Sequence, residues 1–174
     1  MKKYLPIYLL LILAVITRFI PHPANFTAVG AIAIFGGLYI PRRYAIVGPL
    51  LVMFVSDIFI GFYNLPTMIA VYASFILMTV IGLKTRNKKN IATVIGCTLL
   101  GSVLFYIITN WAVWAFGAMY PHTISGLFSS YYWALPFFKN TLAGDLLYTS
   151  VLVGGYELLV SKKISTISSH VSLE

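Results

Sequence analysis

The chain has 174 residues, of which 60% are hydrophobic and only 9% charged, and its mean hydropathy is +0.91. A soluble domain carries roughly a quarter of its residues as charges, so the composition excludes one and indicates an all-α integral membrane protein of one domain. The net charge of +8 does not indicate a nucleic-acid partner, because the basic residues lie between or beside apolar runs, where they report topology.

Six helical spans are predicted: 4–19, 26–40, 44–62, 67–83, 91 to between 109 and 116, and 135–160. They make a transmembrane domain over 1–160, followed by a polar, partly disordered cytoplasmic tail over 161–174. The MKK start and the apolar run behind it share features with a signal peptide. No small-x-small cleavage site follows, and Arg18 and Pro21 come directly after, so the segment reads as an uncleaved span. A span needs about 20 residues to cross ~30 Å of hydrocarbon, so the first two are short, bounded by turns at Pro21–Pro23 and Pro41–Arg43.

With a cytoplasmic N-terminus, alternate crossings place Lys2, Lys3, Arg42, Arg43, Lys84, Arg86, Lys88, Lys89, Lys162 and Lys163 inside, ten of the twelve Lys and Arg. Arg18 and Lys139 are the exceptions. Six spans leave both termini cytoplasmic, as the positive-inside rule requires. Residues 21–25 and 63–66 read as short outer turns. Residues 117–134 read as a long aromatic connection, either a lid over a site or an interfacial anchor of Tyr and Trp.

Charges inside the spans are few, and they carry the functional question. Arg18 and Asp57 each lie roughly 20 Å from the cytoplasmic end of their spans, and Asp145 roughly 15 Å below the outer surface. A charge in hydrocarbon costs at least ~2.5–3.5 kcal/mol, so groups at matching depth are expected to pair. One reading is a structural ion pair of Arg18 with Asp57 or Asp145. The other is a cavity open to the outside, lined by these groups with Asn110, Lys139 and Asn140, with Trp114 above them toward the outer face; the outer-leaflet clustering favours this second reading. His22 and His122, in the outer turns, read as surface hydrogen-bonding groups rather than metal ligands.

Small residues recur at Ala24, Ala28, Ala33 and Gly37 in the second span and at Gly96 and Gly101 in the fifth, where they allow close helix approach. Cys97 reads as a buried, inert thiol. There is no GxxxxGK[ST] loop, HExxH, GxSxG or His/Cys cluster with metal spacing, and no metal or cofactor is expected.

The segments RFIPHPANFTAVGAIAIFGG, SDIFIGFYN and NWAVW…YPHTISGL…PFFKNTLAGDLLY resemble the substrate-binding S components of energy-coupling-factor vitamin transporters. Within that superfamily they are most similar to the small solitary cobalamin transporters of the BtuM type. The resemblance covers residues 4–160. It implies a non-enzymatic, multi-pass protein of the bacterial inner membrane that binds a vitamin or similar micronutrient, with cobalamin or a corrinoid as the named expectation. It implies partners as well: the lipid bilayer, a transmembrane coupling subunit and two ATPases, unless the chain acts alone. His22, Asp57, Tyr72 and Lys139 fall where that pattern places pocket residues, and Asn25, Asn110, Trp114, Asn140 and Asp145 complete the expected substrate-binding set. The chain departs from the pattern twice. Pro66-Thr67-Met68 stands where some BtuM-type proteins carry a cobalt-meeting cysteine, and the first span has only Ala14 of the usual Ala-xxx-Ala coupling face. Two other functions suit the same residues: a structural or assembly protein whose charges only fix helix packing, and a small intramembrane enzyme using Asp57 and Asp145 as acid and base.

Overall fold

The computed structural model describes residue 12 and residues 15–171, with side chains to residue 160. Most of the predicted first span, with Lys2, Lys3 and Ala14, lies outside the described residues. From Val29 onward the described chain is helical: α1 Val29–Tyr39, α2 Arg42–Ala45, α3 Val47–Ile60, α4 Leu65–Thr85, a 3-10 turn at Arg86–Lys88, α5 Ile91–Phe116 and α6 Ile124–Val171. Three segments, Arg42–Ile60, Leu65–Lys88 and Ile91–Phe116, are long and apolar enough to cross a membrane. Their outward faces carry large exposed apolar side chains, such as Phe54, Ile58, Phe59, Leu77, Leu100 and Ile107. In a soluble protein such a surface would aggregate, so this is a membrane protein.

The turns follow from local chemistry. Gly61 stops α3 at a φ of 111°, a conformation that an L side chain rarely adopts. Asn64 caps α4, its side chain accepting from the Thr67 backbone N–H at 3.2 Å, with Pro66 in the first turn. Asn90 and Thr93 form a reciprocal capping box at the start of α5. At the other end of α4, Arg86 donates to the carbonyls of Gly37 and Ile40. A cation thereby satisfies the open carbonyl end of α1.

The core is α1. It is apolar all round, with every residue from Val29 to Leu38 buried, and it packs against α3, α4, α5 and α6. The segment predicted as the second span is therefore an internal helix of 11 residues, about 16 Å long. Its small residues set how close its neighbours come. A Cβ on Gly82 would stand 2.6 Å from the Ile34 carbonyl oxygen, and one on Gly37 would stand 2.8 Å from the Gly82 Cα, so α1 and α4 cross backbone to backbone.

The last helix corrects the sequence reading. Residues 117–134 are predicted as a connection, but only 117–123 lie between helices, and α6 begins at Ile124 and continues past Pro136 to Val171. Pro136 removes one backbone hydrogen bond, and cross-helix contacts hold the helix on both sides of it. Tyr106 Oη donates to the Tyr131 carbonyl (2.6 Å), Tyr131 Oη donates to the Ile107 carbonyl (2.9 Å), and the Tyr106 and Phe138 rings pack at 4.6 Å. The helix also runs on into the stretch predicted as a polar tail.

Candidate functional site

The site is built around the start of α1, at the end of the bundle that carries the 61–64 turn. The basic turns at 41–43 and 84–90 lie at the opposite end, as the run of α3 and α4 requires. Asn25 takes a φ of 65°, which asparagine tolerates better than most residues. The turn that it forms is tied to α6 by Asn140 Nδ2, which donates to the Ala24 carbonyl at 3.0 Å.

One side of the site is an ionic lock. Arg18 Nη2 pairs with Asp57 Oδ1 at 3.2 Å, and Arg18 Nη1 reaches Ser56 Oγ and, at 3.1 Å, Met53 Sδ. Tyr72 Oη donates to the other Asp57 oxygen at 2.9 Å. The Asp57 side chain is 2% exposed and that of Arg18 14%, so this is a buried pair with both carboxylate oxygens engaged. Tyr63, 42% exposed in the 61–64 turn, has its phenol pushed up to about 12 by partial burial first and by the Asp57 charge second, with Arg18 acting the other way. It remains a hydrogen-bond donor at neutral pH. Replacing Tyr72 with phenylalanine removes a hydrogen bond to a charged group, worth about 1.5–3 kcal/mol. The expected result is a lower melting midpoint in detergent with the helical content unchanged.

On the other side is Asp145, 3% exposed. Its Oδ2 accepts from Ser102 Oγ at 2.7 Å, and no cation pairs with it among the described residues. Room for the carboxylate exists because residue 30 is glycine. A Cβ there would lie 2.8 Å from Asp145 Oδ2 and closer still to Oδ1. Asp145 therefore does not join the ion pair with Arg18, and of the two predicted pairings only Arg18–Asp57 forms.

Between these two carboxylates lies a hollow of about 280 Å³, whose lining includes Arg18, Asn25, Tyr63, Phe75, Phe105 and Asp145. A second hollow of about 200 Å³ adjoins it, sharing Asn25, Val71, Phe105 and Thr141, and ends at Thr109 and Asn110. The walls combine aromatic rings with a few converging polar groups, as small-molecule sites do.

The predicted residues divide accordingly. Asn25, Asn110 and Asp145 line the hollows; Asp57 and Tyr72 belong to the lock behind one wall; Asn140 fixes the turn at the mouth. Asn110 Nδ2 is bonded to the Tyr106 carbonyl of its own helix at 2.8 Å. Three of the predicted residues lie outside both hollows. Lys139 is exposed and lines neither hollow. Trp114, near the end of α5, donates to the Pro121 carbonyl at 3.1 Å and lies against the His122 ring, which packs it on the 117–123 turn and outside both hollows. His22 is exposed, its Nδ1 2.6 Å from the Ile20 carbonyl. Among the described residues no group of His, Cys, Asp and Glu could hold a metal. Phe75, Phe105 and Thr141 escape the sequence reading. Thr141 had a signal, since it stands four residues before Asp145 on the same helical face.

Residues 1–167 match the model of a family described as "Family of unknown function (DUF6580)", and the chain belongs to that family. No curated protein and no solved structure matches it.

Proposed function

We propose that this member of DUF6580 is a six-span protein of the cell membrane, with both termini cytoplasmic, that binds a small vitamin-like solute from outside for uptake. The carrying observation is Asp145, a carboxylate buried at membrane depth beside an open hollow with no cation paired to it among the described residues. Intramembrane ionisable groups of that kind mark ligand or ion sites. Arg18 and Asp57 satisfy each other, which supports a structural role for that pair. It also argues against an enzyme in which Asp57 acts as a free base.

The chemistry points to a solute of one ring system that carries hydrogen-bond donors or a positive charge. Asp145 accepts from it, Phe75 and Phe105 flank it, and Asn25, Thr27 and Thr141 complete its polar contacts. A corrinoid is far larger than either hollow, so the volume of about 280 Å³ favours a smaller vitamin or precursor. The resemblance to S components supports an energising coupling subunit with two ATPases as partners, and the same site also serves a carrier acting alone.

Purified protein should bind one member of a radiolabelled panel (thiamine, biotin, riboflavin, nicotinamide, cobalamin) saturably. Asp145→Asn should weaken that binding about tenfold or more, since a hydrogen bond to a charged group is worth about 1.5–3 kcal/mol and 1.4 kcal/mol is tenfold. Failure to bind any of the panel, or equal binding by Asp145→Asn, would sink the reading.

A further inference from the structure

A third hollow lies at the opposite end of the bundle, between α5 and α6 beside the end of α1. It measures about 570 Å³ and is lined by Tyr39, Lys89, Val94, Thr149, Val153 and Glu157, among others. The basic turn at 84–90 stands at its mouth. There Glu157 Oε1 accepts from Tyr39 Oη (2.6 Å) and from Lys89 Nζ (2.9 Å), and Lys89 also sits 4.1 Å over the Tyr39 ring.

Two observations show that this space is not ordinary helix packing. Buried hydroxyls elsewhere in the bundle are satisfied within their own helices: Ser74, Thr79, Thr98, Thr109 and Thr141 each donate to the carbonyl four residues back. Thr149, 3% exposed and lining the hollow, has no partner for its hydroxyl, the one such buried side-chain atom among the described residues. Here α5 and α6 also stand apart. A Cβ on Gly154, which lines the hollow, would meet nothing within 4 Å. Nearer the outer hollow each helix packs tightly on other elements, Gly101 of α5 against Met78 of α4 and Gly144 of α6 against the backbone of Phe26 and Thr27.

On α6, Asp145 lines the outer hollow, and Thr149, about one turn on, lines the inner one with Val153 and Glu157; residues at this four-residue spacing drift about 40° around the helix at each step. The stretch from Asp145 to Glu157 covers about 18 Å. Between the hollows stands the Ser102–Asp145 hydrogen bond. We infer that the α5–α6 seam is the solute's route and that the hollow around Thr149 is its second, inward-facing site. A donor-bearing or cationic solute meets an acceptor at each stage: the Asp145 carboxylate, the Thr149 hydroxyl, then the Glu157 carboxylate. This rests on the uptake reading above and adds to it a path through the chain itself.

The test needs no knowledge of the solute. In a Cys97→Ala background, Thr149→Cys and, separately, Gly154→Cys are probed with a membrane-impermeant maleimide in intact cells and in inside-out vesicles. Thr141→Cys serves as the marker of the outer hollow. The expected result is labelling of both groove cysteines only in inside-out vesicles and of Thr141→Cys only in intact cells. Groove cysteines that react from neither face, or from the outer face, overturn the route. If they react from the inside while Thr141→Cys is inert, the outer-site reading falls and the inward-facing hollow stands. Gly154→Cys adds its side chain to open space, so it reports on the groove even where Thr149→Cys disturbs packing.

Discussion

Replacing Gly82 with leucine should prevent the bundle from assembling. The added Cβ would lie 2.6 Å from the Ile34 carbonyl oxygen and 3.1 Å from the Gly37 Cα. Both are backbone atoms of α1, which cannot swing aside as a side chain tip can. Overpacking in a core commonly costs about 1–3 kcal/mol. Here the two helices must separate along their crossing, so the loss should exceed that range and take most of a net stability of about 5–15 kcal/mol. The measurement is the monodisperse yield from detergent extracts, expected to fall to near nothing. Gly37→Leu should behave alike, since its Cβ would meet Gly82 Cα and Leu83 N at 2.8 Å. Gly154→Ala should be neutral or stabilising by about 0.5–1 kcal/mol, the helix preference of alanine over glycine. A Gly82→Leu protein with an unchanged melting midpoint would refute the backbone crossing.

The Arg18–Asp57 pair should show the second largest effect, and its sign pattern is diagnostic. Removing one partner of a buried pair costs about 3–5 kcal/mol because the other charge is left uncompensated. Arg18→Leu and Asp57→Leu should each lower the melting midpoint accordingly. The double variant should recover most of the loss, since replacing a buried pair with apolar groups is often neutral. Recovery should stop short by the hydrogen bond that Tyr72 makes to Asp57, and adding Tyr72→Phe should close that gap. Solute binding should fall less in the double variant than in Asp145→Asn, because Asp145 holds the ligand while Arg18 only lines the hollow. A double variant no more stable than the worse single would show that the two side chains act independently.

How much of this was legible before the coordinates depends on what kind of signal each residue carries. The helices over Leu65–Thr85 and Ile91–Phe116 stand out because long apolar runs are bounded by asparagine caps. The Arg18–Asp57 contact was one of two pairings that depth allowed, and depth alone could not choose between them. Depth also misplaced Lys139. It stands six residues from Asp145, which at 100° per residue turns the two side chains about 120° apart. The start of α6 was hidden by Pro136 and by aromatic residues that suit an interface as well as a helix. The interior position of α1 was hidden for a different reason. Lipid tails are as apolar as leucine, so a helix facing lipid and one facing protein read alike. Only the density of Gly and Ala between 28 and 37 hinted that other helices close around it.

That enclosed helix bears on how the chain is made. At about 16 Å it is too short to bridge the bilayer by itself, and the described helices that wrap it, α3 to α6, are all synthesised after it. During synthesis that helix therefore emerges before the partners that enclose it here. A chain ending ahead of residue 124 would lack α6 and the share of the enclosure that α6 supplies.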